Sequence, residues 1–210
     1  MIETSSKLYA ENVAFYIKQD KNTAYIPITY KQMMKDVNGL GTALIVGDLK
    51  DKRIGIIGEN SYMWATMYLA SVCGVGVVVP LDKELSANEL KGLVKEAELS
   101  CVAFDKKFEN LFKGIKADPE NDLEVLIGLE AQESDGEVFA WRDLVHKGSR
   151  LVDEGNSSFL DAQINSQEMS ILLFTSGTTG VSKAVMLSHE NICVDLMSLP
   201  TLLEVRSDDI

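Results

Sequence analysis

Histidine is nearly missing from this chain: among 210 residues there are two, His146 and His189. A Ser-His-Asp or Cys-His arrangement cannot be assembled from so few imidazoles. His146 has no second candidate ligand at helical spacing, and His189 directly follows a helix-capping Ser188. Cysteine is scarce too. Cys73, Cys101 and Cys193 are odd in number, far apart and without a CxxC pair. That excludes a zinc site and a disulfide framework and reads as buried thiols in a reducing compartment. Cations are in deficit, with 20 Lys and Arg against 32 Asp and Glu and a net charge of −12. Nucleic-acid binding through a basic face is excluded on that ground, and the acidity reads as a means of solubility. No apolar run is long. The most apolar helix candidate, "YMWATMYLASVC" (Tyr62–Cys73), is too short to span a bilayer. The opening "MIETSSKLYAENVAF" lacks the basic-then-apolar order of a signal peptide. A soluble, cytoplasmic protein is expected, with no transmembrane segment and no nucleic-acid partner.

What is present is an ordinary globular composition, 46% hydrophobic and 25% charged, enough for one or two packed domains. "VAFYIKQDKNTAYIPIT" reads as a β-hairpin turning at "QDKN". A helix follows from Thr29, where Thr29 and Gln32 form a capping-box pattern and Met33, Val37, Leu40 and Leu44 share a face. Gly47 is its expected C-terminal cap. From Arg53 strands and helices alternate. "RIGIIG", "VGVVVP", "SCVAFD" and "LEVLIGL" read as strands. The helices are "ENSYMWATMYLASVCG", begun near Asn60 or Ser61, and "LSANELKGLVKEAEL", boxed by Ser86 and Glu89. "EAQESDGEVFA" reads as acidic loop and "WRDLVHKGSRLVDEG" as helix. "NSSFLDAQINSQE" is a polar connector, then come strands "SILLFT" and "KAVMLS" and a helix capped by Ser188 and ended by Pro200. The β-α-β order predicts an α/β fold, mostly parallel, with helices on both faces and a short N-terminal hairpin.

Two glycine patterns carry no cofactor reading. "GVG" at Gly74–Gly76 precedes a strand, whereas a dinucleotide fingerprint follows one and opens a helix. It reads as tight helix-to-strand packing. "IIGEN" is correctly placed but has a single glycine, and reads as a turn with a helix cap.

The stretch Thr175–Lys183 is different. Gly177 and Gly180 let successive N–H groups converge on one anion. Thr175, Ser176, Thr178 and Thr179 supply hydroxyls for phosphate oxygens or Mg²⁺, and Lys183 adds a mobile charge. Lys183 alone contributes only about 1 kcal/mol in water and ~4 near a surface. Charge-assisted bonds from the loop, roughly 1.5–3 kcal/mol each, would supply most of the grip. The net charge of −12 favours a cation bound along with the phosphate. This is not a Walker A loop: only two residues separate Gly177 from Gly180, and a strand-like run follows Lys183. By composition alone, phosphate cradle and flexible turn both stand.

At this point "TSGTTGVSKAV" resembles the phosphate-loop signature TSGTTGxPKGV of the adenylate-forming, AMP-forming acyl-CoA synthetases. It matches at Thr175, Ser176, Gly177, Thr178, Thr179, Gly180, Lys183 and Val185. "ITYKQM", "IGIIGENSYMWATMYLASVCGVGVVVPLD" and "VMLSHENI" are similar to the long-chain fatty-acid branch. The resemblance implies ATP, Mg²⁺ and coenzyme A as ligands and a two-step reaction, in which carboxylate and ATP give an acyl-adenylate and coenzyme A then displaces AMP. It implies that the loop holds the β- and γ-phosphates. Two positions depart, Ser182 for the usual Pro and Ala184 for the usual Gly. Losing Pro loosens the chain before Lys183, and Ala184 resists a positive φ if the loop demands one.

The family's later signatures, which meet adenine, ribose and the α-phosphate, are not found up to Ile210. The chain is therefore expected to be an N-terminal fragment, inactive alone, without catalytic residues of its own and prone to self-association. Residues 1–168 are expected to form a first α/β subdomain of the synthetase N-terminal domain, and 169–210 to begin the next. An adenylating enzyme for an aryl or amino acid, or a non-catalytic module on the same scaffold, remain the alternatives.

Overall fold

A computed structural model describes residues 2–18, 23–175 and 183–204. Helix α1 (Ile2–Leu8) precedes an antiparallel hairpin, β1 (Val13–Ile17) with β2 (Ile26–Thr29). Its expected "QDKN" turn lies outside the described residues. Then follow α2 (Tyr30–Leu44), β3 (Arg53–Ile57), α3 (Tyr62–Ala70), β4 (Val77–Pro80), α4 (Ala87–Glu96), β5 (Cys101–Phe104), α5 (Glu109–Lys116) and β6 (Val125–Gly128). The chain continues through β7 (Val138–Ala140), α6 (Trp141–Asp153), β8 (Met169–Thr175), β9 (Lys183–Ser188) and α7 (His189–Leu202). Seven strands form one sheet in the order β7-β6-β5-β3-β4-β8-β9, parallel throughout except for β9.

A parallel sheet is stable only with both faces covered, and alternate residues of each strand divide between two cores. Ile54, Ile56, Val78, Cys101 and Ala103 pack with Met33, Val37, Leu40 and Leu44 of α2 and with Leu144 and Val145 of α6. Val79, Val102, Phe104 and Leu126 point the other way, onto Leu90, Leu93 and Val94 of α4 and Phe112 and Ile115 of α5. Helix α3, apolar nearly all round, inserts Met67 and Ala70 into the first core, both with no exposed surface. The expected layering is therefore present.

Cap chemistry sets most helix starts. The side chains of Thr29, Ser61 and Ser86 accept from the backbone N–H groups of Gln32, Trp64 and Glu89. Ser86 and Glu89 close a full capping box. The box expected at Thr29 is only half made, because Gln32 Nε2 donates instead to Asp36 Oδ1 at 2.7 Å. Gly47 does not cap α2. The helix widens through Ile45–Leu49, and Asp48 rather than Gly47 takes the left-handed conformation, at φ 63°. Helix α7 runs past Pro200 to Leu202. Helices α1 and α5 and strand β7 were not expected. β7 occupies the end of the supposed acidic loop, where three residues suffice to edge the sheet against β6.

Close backbone approach governs how α2 meets α6. A Cβ on Gly148 would sit 1.7 Å from the carbonyl oxygen of Gly39. Phe159, from the connector after α6, fills the space beside Gly41, where a Cβ would lie 2.3 Å from its ring. The Gly74–Gly76 pair also proves to be packing: Gly74 has φ 152°, and a Cβ on Gly76 would lie 2.1 Å from the Lys52 carbonyl oxygen. Glycines on open helix faces behave oppositely. Gly92 in α4 has nothing within 4 Å of a built Cβ. Gly148→Ala is expected to destabilise the chain by roughly 3 kcal/mol or more, since backbone lies on both sides of the clash. Gly92→Ala is expected to stabilise it by about 0.5–1 kcal/mol. Urea unfolding of the two variants checks both signs.

Candidate functional site

In open α/β sheets ligands bind beyond the carboxyl ends of the strands, where successive connections leave in opposite directions. Here that point lies between β3 and β5. The chain leaves β3 through α3 to β4 on one side, and leaves β5 through α5 to β6 on the other. The residues just past these strands form a compact polar cluster. Lys83 Nζ donates to one carboxylate oxygen of Glu59, and Lys107 Nζ to the other at 3.2 Å. The Glu59 N–H donates to Asp105 Oδ2 at 2.7 Å. Hydrogen bonds from both lysines hold the Glu59 carboxyl below its ordinary range, and the bond to Glu59 raises Lys83. Asp105 is 7% exposed. Burial pushes its carboxyl up, and the Glu59 N–H works against that shift. Gly58 of "IIGEN" is required here, because a Cβ would lie 2.4 Å from Asp105 Oδ1. Sequence reasoning took this segment as a turn and missed the cluster. The only signal was that "GEN", "LDK" and "DKK" each follow a strand. An incoming phosphate would compete with Glu59 for the two ammonium groups.

The signature loop leaves the same edge of the sheet, from the end of β8. Thr175 and Lys183 are directly paired across β8 and β9, and Thr175 Oγ1 donates to the Lys183 carbonyl at 3.4 Å. Both residues are exposed, and Lys183 has no ion pair among the described residues. Ser176, Gly177, Thr178, Thr179, Gly180 and Ser182 lie outside the described residues. The strand expected after Lys183 is present, so no helix N-terminus faces the loop from that side. Ala184 pairs with Phe174 in the antiparallel ladder. It is not among the described non-glycine residues with positive φ, which are Asp48, Asp51 and Glu98. The concern that Ala184 would resist a left-handed conformation therefore falls away.

The remaining candidates join no site. His146 is exposed on α6, and His189 opens α7 beside its cap Ser188. No group of three or more potential metal ligands occurs among the described residues. Cys73, Cys101 and Cys193 are unbridged, and burial raises the thiols of Cys73 and Cys101, which makes them poor nucleophiles. No helix among the described residues is long and apolar enough to cross a membrane.

Known proteins resemble this chain in sequence and in fold. The long-chain-fatty-acid–CoA ligase 5 of Rattus norvegicus is 30% identical over 193 residues, covering 87% of this chain and 28% of its own length. The mitochondrial medium-chain acyl-CoA ligase ACSF2 of Pongo abelii is 29% identical over 209 residues, covering 91% of this chain and 33% of its own. This chain thus spans about a third or less of the curated relatives it matches. Among solved structures, a long-chain-fatty-acid-CoA ligase from Archaeoglobus fulgidus superposes with a TM-score of 0.81 over 99% of this chain and 39% of its own, at 15% identity. At that identity the likeness is one of fold. The sequence pattern of the family described as AMP-binding enzyme matches residues 2–210, and this chain belongs to that family.

Proposed function

We propose that the protein carrying this chain is an ATP-dependent, AMP-forming acyl-CoA ligase acting on a long-chain fatty acid. The observation that carries the reading is the pairing of Thr175 with Lys183 at the carboxyl end of β8, which brings both ends of the signature loop to the ligand edge of the sheet. Relatives named for long-chain and medium-chain acids support a fatty substrate. In the first step a carboxylate oxygen attacks the α-phosphorus, the bond to the bridging oxygen breaks, and pyrophosphate leaves. In the second the thiol sulfur of coenzyme A attacks the acyl carbonyl carbon and AMP leaves.

Thr175 and Lys183 act on the leaving group. The hydroxyl and the ammonium stabilise charge that grows on pyrophosphate as the bond breaks, together with Ser176, Gly177, Thr178, Thr179 and Gly180 of the loop. The hydroxyls of Thr175, Ser176, Thr178 and Thr179 would help hold a Mg²⁺ ion carried by the nucleotide, which would offset phosphate charge that a chain of net charge −12 tolerates poorly. A division after residue 168 belongs to the same reading. Residues 169–210 would open a second subdomain that shares the sheet through β8, which pairs with β4 and buries Ile171 and Leu172, and helix α7 buries no residue, with Val194, Met197 and Leu202 60%, 71% and 79% exposed. Such a face suits a covering layer, or self-association when uncovered. A cytoplasmic location fits the unbridged cysteines.

Residues 1–210 alone are expected to give no ATP–pyrophosphate exchange with palmitate, and appreciable exchange would refute that. In the whole protein, Lys183→Ala is expected to slow adenylate formation about 10–100-fold, the equivalent of one charge-assisted bond. An unchanged exchange rate would place the loop outside nucleotide handling and favour a non-catalytic module. Ala184→Gly, by contrast, is expected to change the rate by less than about twofold, since a strand position gains nothing from glycine. Pyrophosphate exchange reads both variants.

A further inference from the structure

The chain has 20 Lys and Arg for 32 Asp and Glu, yet two lysines meet on one acid. Among the ion pairs of the described residues, Glu59 is the one carboxylate shared by two ammonium groups. Lys83 reaches it from the loop after β4 and Lys107 from the turn after β5, each on its own carboxylate oxygen. The backbone beneath is fixed as well. The Glu59 N–H donates to the buried Asp105, whose carboxyl leaves no room for a Cβ at Gly58. The Glu59 side chain is nevertheless 60% exposed, so a dissolved anion can reach the two ammonium groups.

Two converging ammonium groups at a topological switch point have the make-up of a phosphate seat, and here a carboxylate of the chain fills it. The surroundings oppose a second anion while Glu59 is there. The charges of Glu84 and Asp105 bear on Lys83, and that of Glu130 on Asp105. With Glu59 these make four carboxylates, against Lys83, Lys107 and the flanking Lys106, whose N–H donates to Glu130. The seat is also a neighbour of the signature loop. β4 pairs with β8, with Val78 opposite Ile171. The chain leaving β4 toward Lys83 therefore starts one strand spacing, about 4.8 Å, from the chain leaving β8 at Thr175. An open seat there would offer a polyphosphate a second place to bind. We propose that Glu59 is a specificity-determining residue, whose carboxylate occupies the Lys83–Lys107 seat and keeps phosphate groups off the switch point. The consequence, which rests on the ligase reading, is that nucleotide phosphate is left to the Thr175–Lys183 loop.

The test is a titration of inorganic phosphate into the chain by isothermal calorimetry, at constant ionic strength so that screening does not change. The unaltered chain is expected to bind weakly. Glu59→Gln keeps the shape and removes the charge, and is expected to bind phosphate at least about tenfold more tightly. Adding Lys83→Met to Glu59→Gln is expected to abolish that gain. Phosphate held by the signature loop is common to all three proteins and cancels from the comparison. Circular dichroism confirms that each variant is folded, as an exposed side chain at position 59 leads one to expect. Equal affinity of the unaltered chain and Glu59→Gln overturns the proposal and leaves Glu59 as a staple between loops. So does a gain that survives Lys83→Met. The readout needs no turnover, so an absence of pyrophosphate exchange in the whole protein would refute the ligase reading and leave this result standing.

Discussion

The parallel sheet cannot be left bare on either face, and the rest of the molecule follows from that constraint. Every strand from β3 to β6 carries apolar residues on both sides, and water must be kept from both. Helices α2, α3 and α6 serve one side, α4 and α5 the other. The same requirement makes the connections crossovers, so all the parallel strands end at one edge. Polar groups collect there because the faces are occupied and only the ends of strands meet solvent. The Glu59–Lys83–Lys107 cluster and the Thr175–Lys183 pair share that edge for this reason, although they are far apart in sequence.

The α2–α6 contact shows how strictly the cover must fit. Two helices that share one sheet face must pack on each other as well as on the strands. At Gly39 and Gly148 the helices approach closely enough for backbone to touch backbone. This brings Leu144 and Val145 into the core with Leu40 and Leu44. It also leaves the opposite face of α6, with Arg142, His146 and Arg150, as a wall standing free of the sheet.

Much of this was legible in the chain because it rests on local rules. Capping residues at Thr29, Ser61, Ser86 and Ser188 marked four helix starts. Unbroken β-branched runs such as "VGVVVP" marked buried parallel strands. Helix α5 was hidden by its charge, since Lys113 serves three carboxylates on the surface while only Phe112 and Ile115 go inward. β7 was hidden by brevity. Gly47 misled because a polar Asp48 could take the left-handed position itself. At the site, the loop's chemistry was legible from residue types and spacing. The Asp105–Glu59 contact was not, for it joins residues 46 apart that only the strand order brings together.

Charge placement bears on how the loop would work. At the sheet edge Lys83 and Lys107 are already committed to Glu59. Recruiting them to phosphate would break ion pairs and expose a carboxylate to a second anion. Lys183, on β9, has no such commitment among the described residues, so its charge is available without a competing loss. Even so, one exposed ammonium supplies about 1–4 kcal/mol at most, less than a triphosphate needs for a defined geometry. The remainder would have to come from donors with no charge to compensate, the hydroxyls and N–H groups between Thr175 and Lys183. That is the physical sense of a loop rich in Thr, Ser and Gly in a chain so short of cations. Neither Ser182 nor Ala184 would remove a donor from it, and Ala184 sits in a ladder where a Cβ costs nothing.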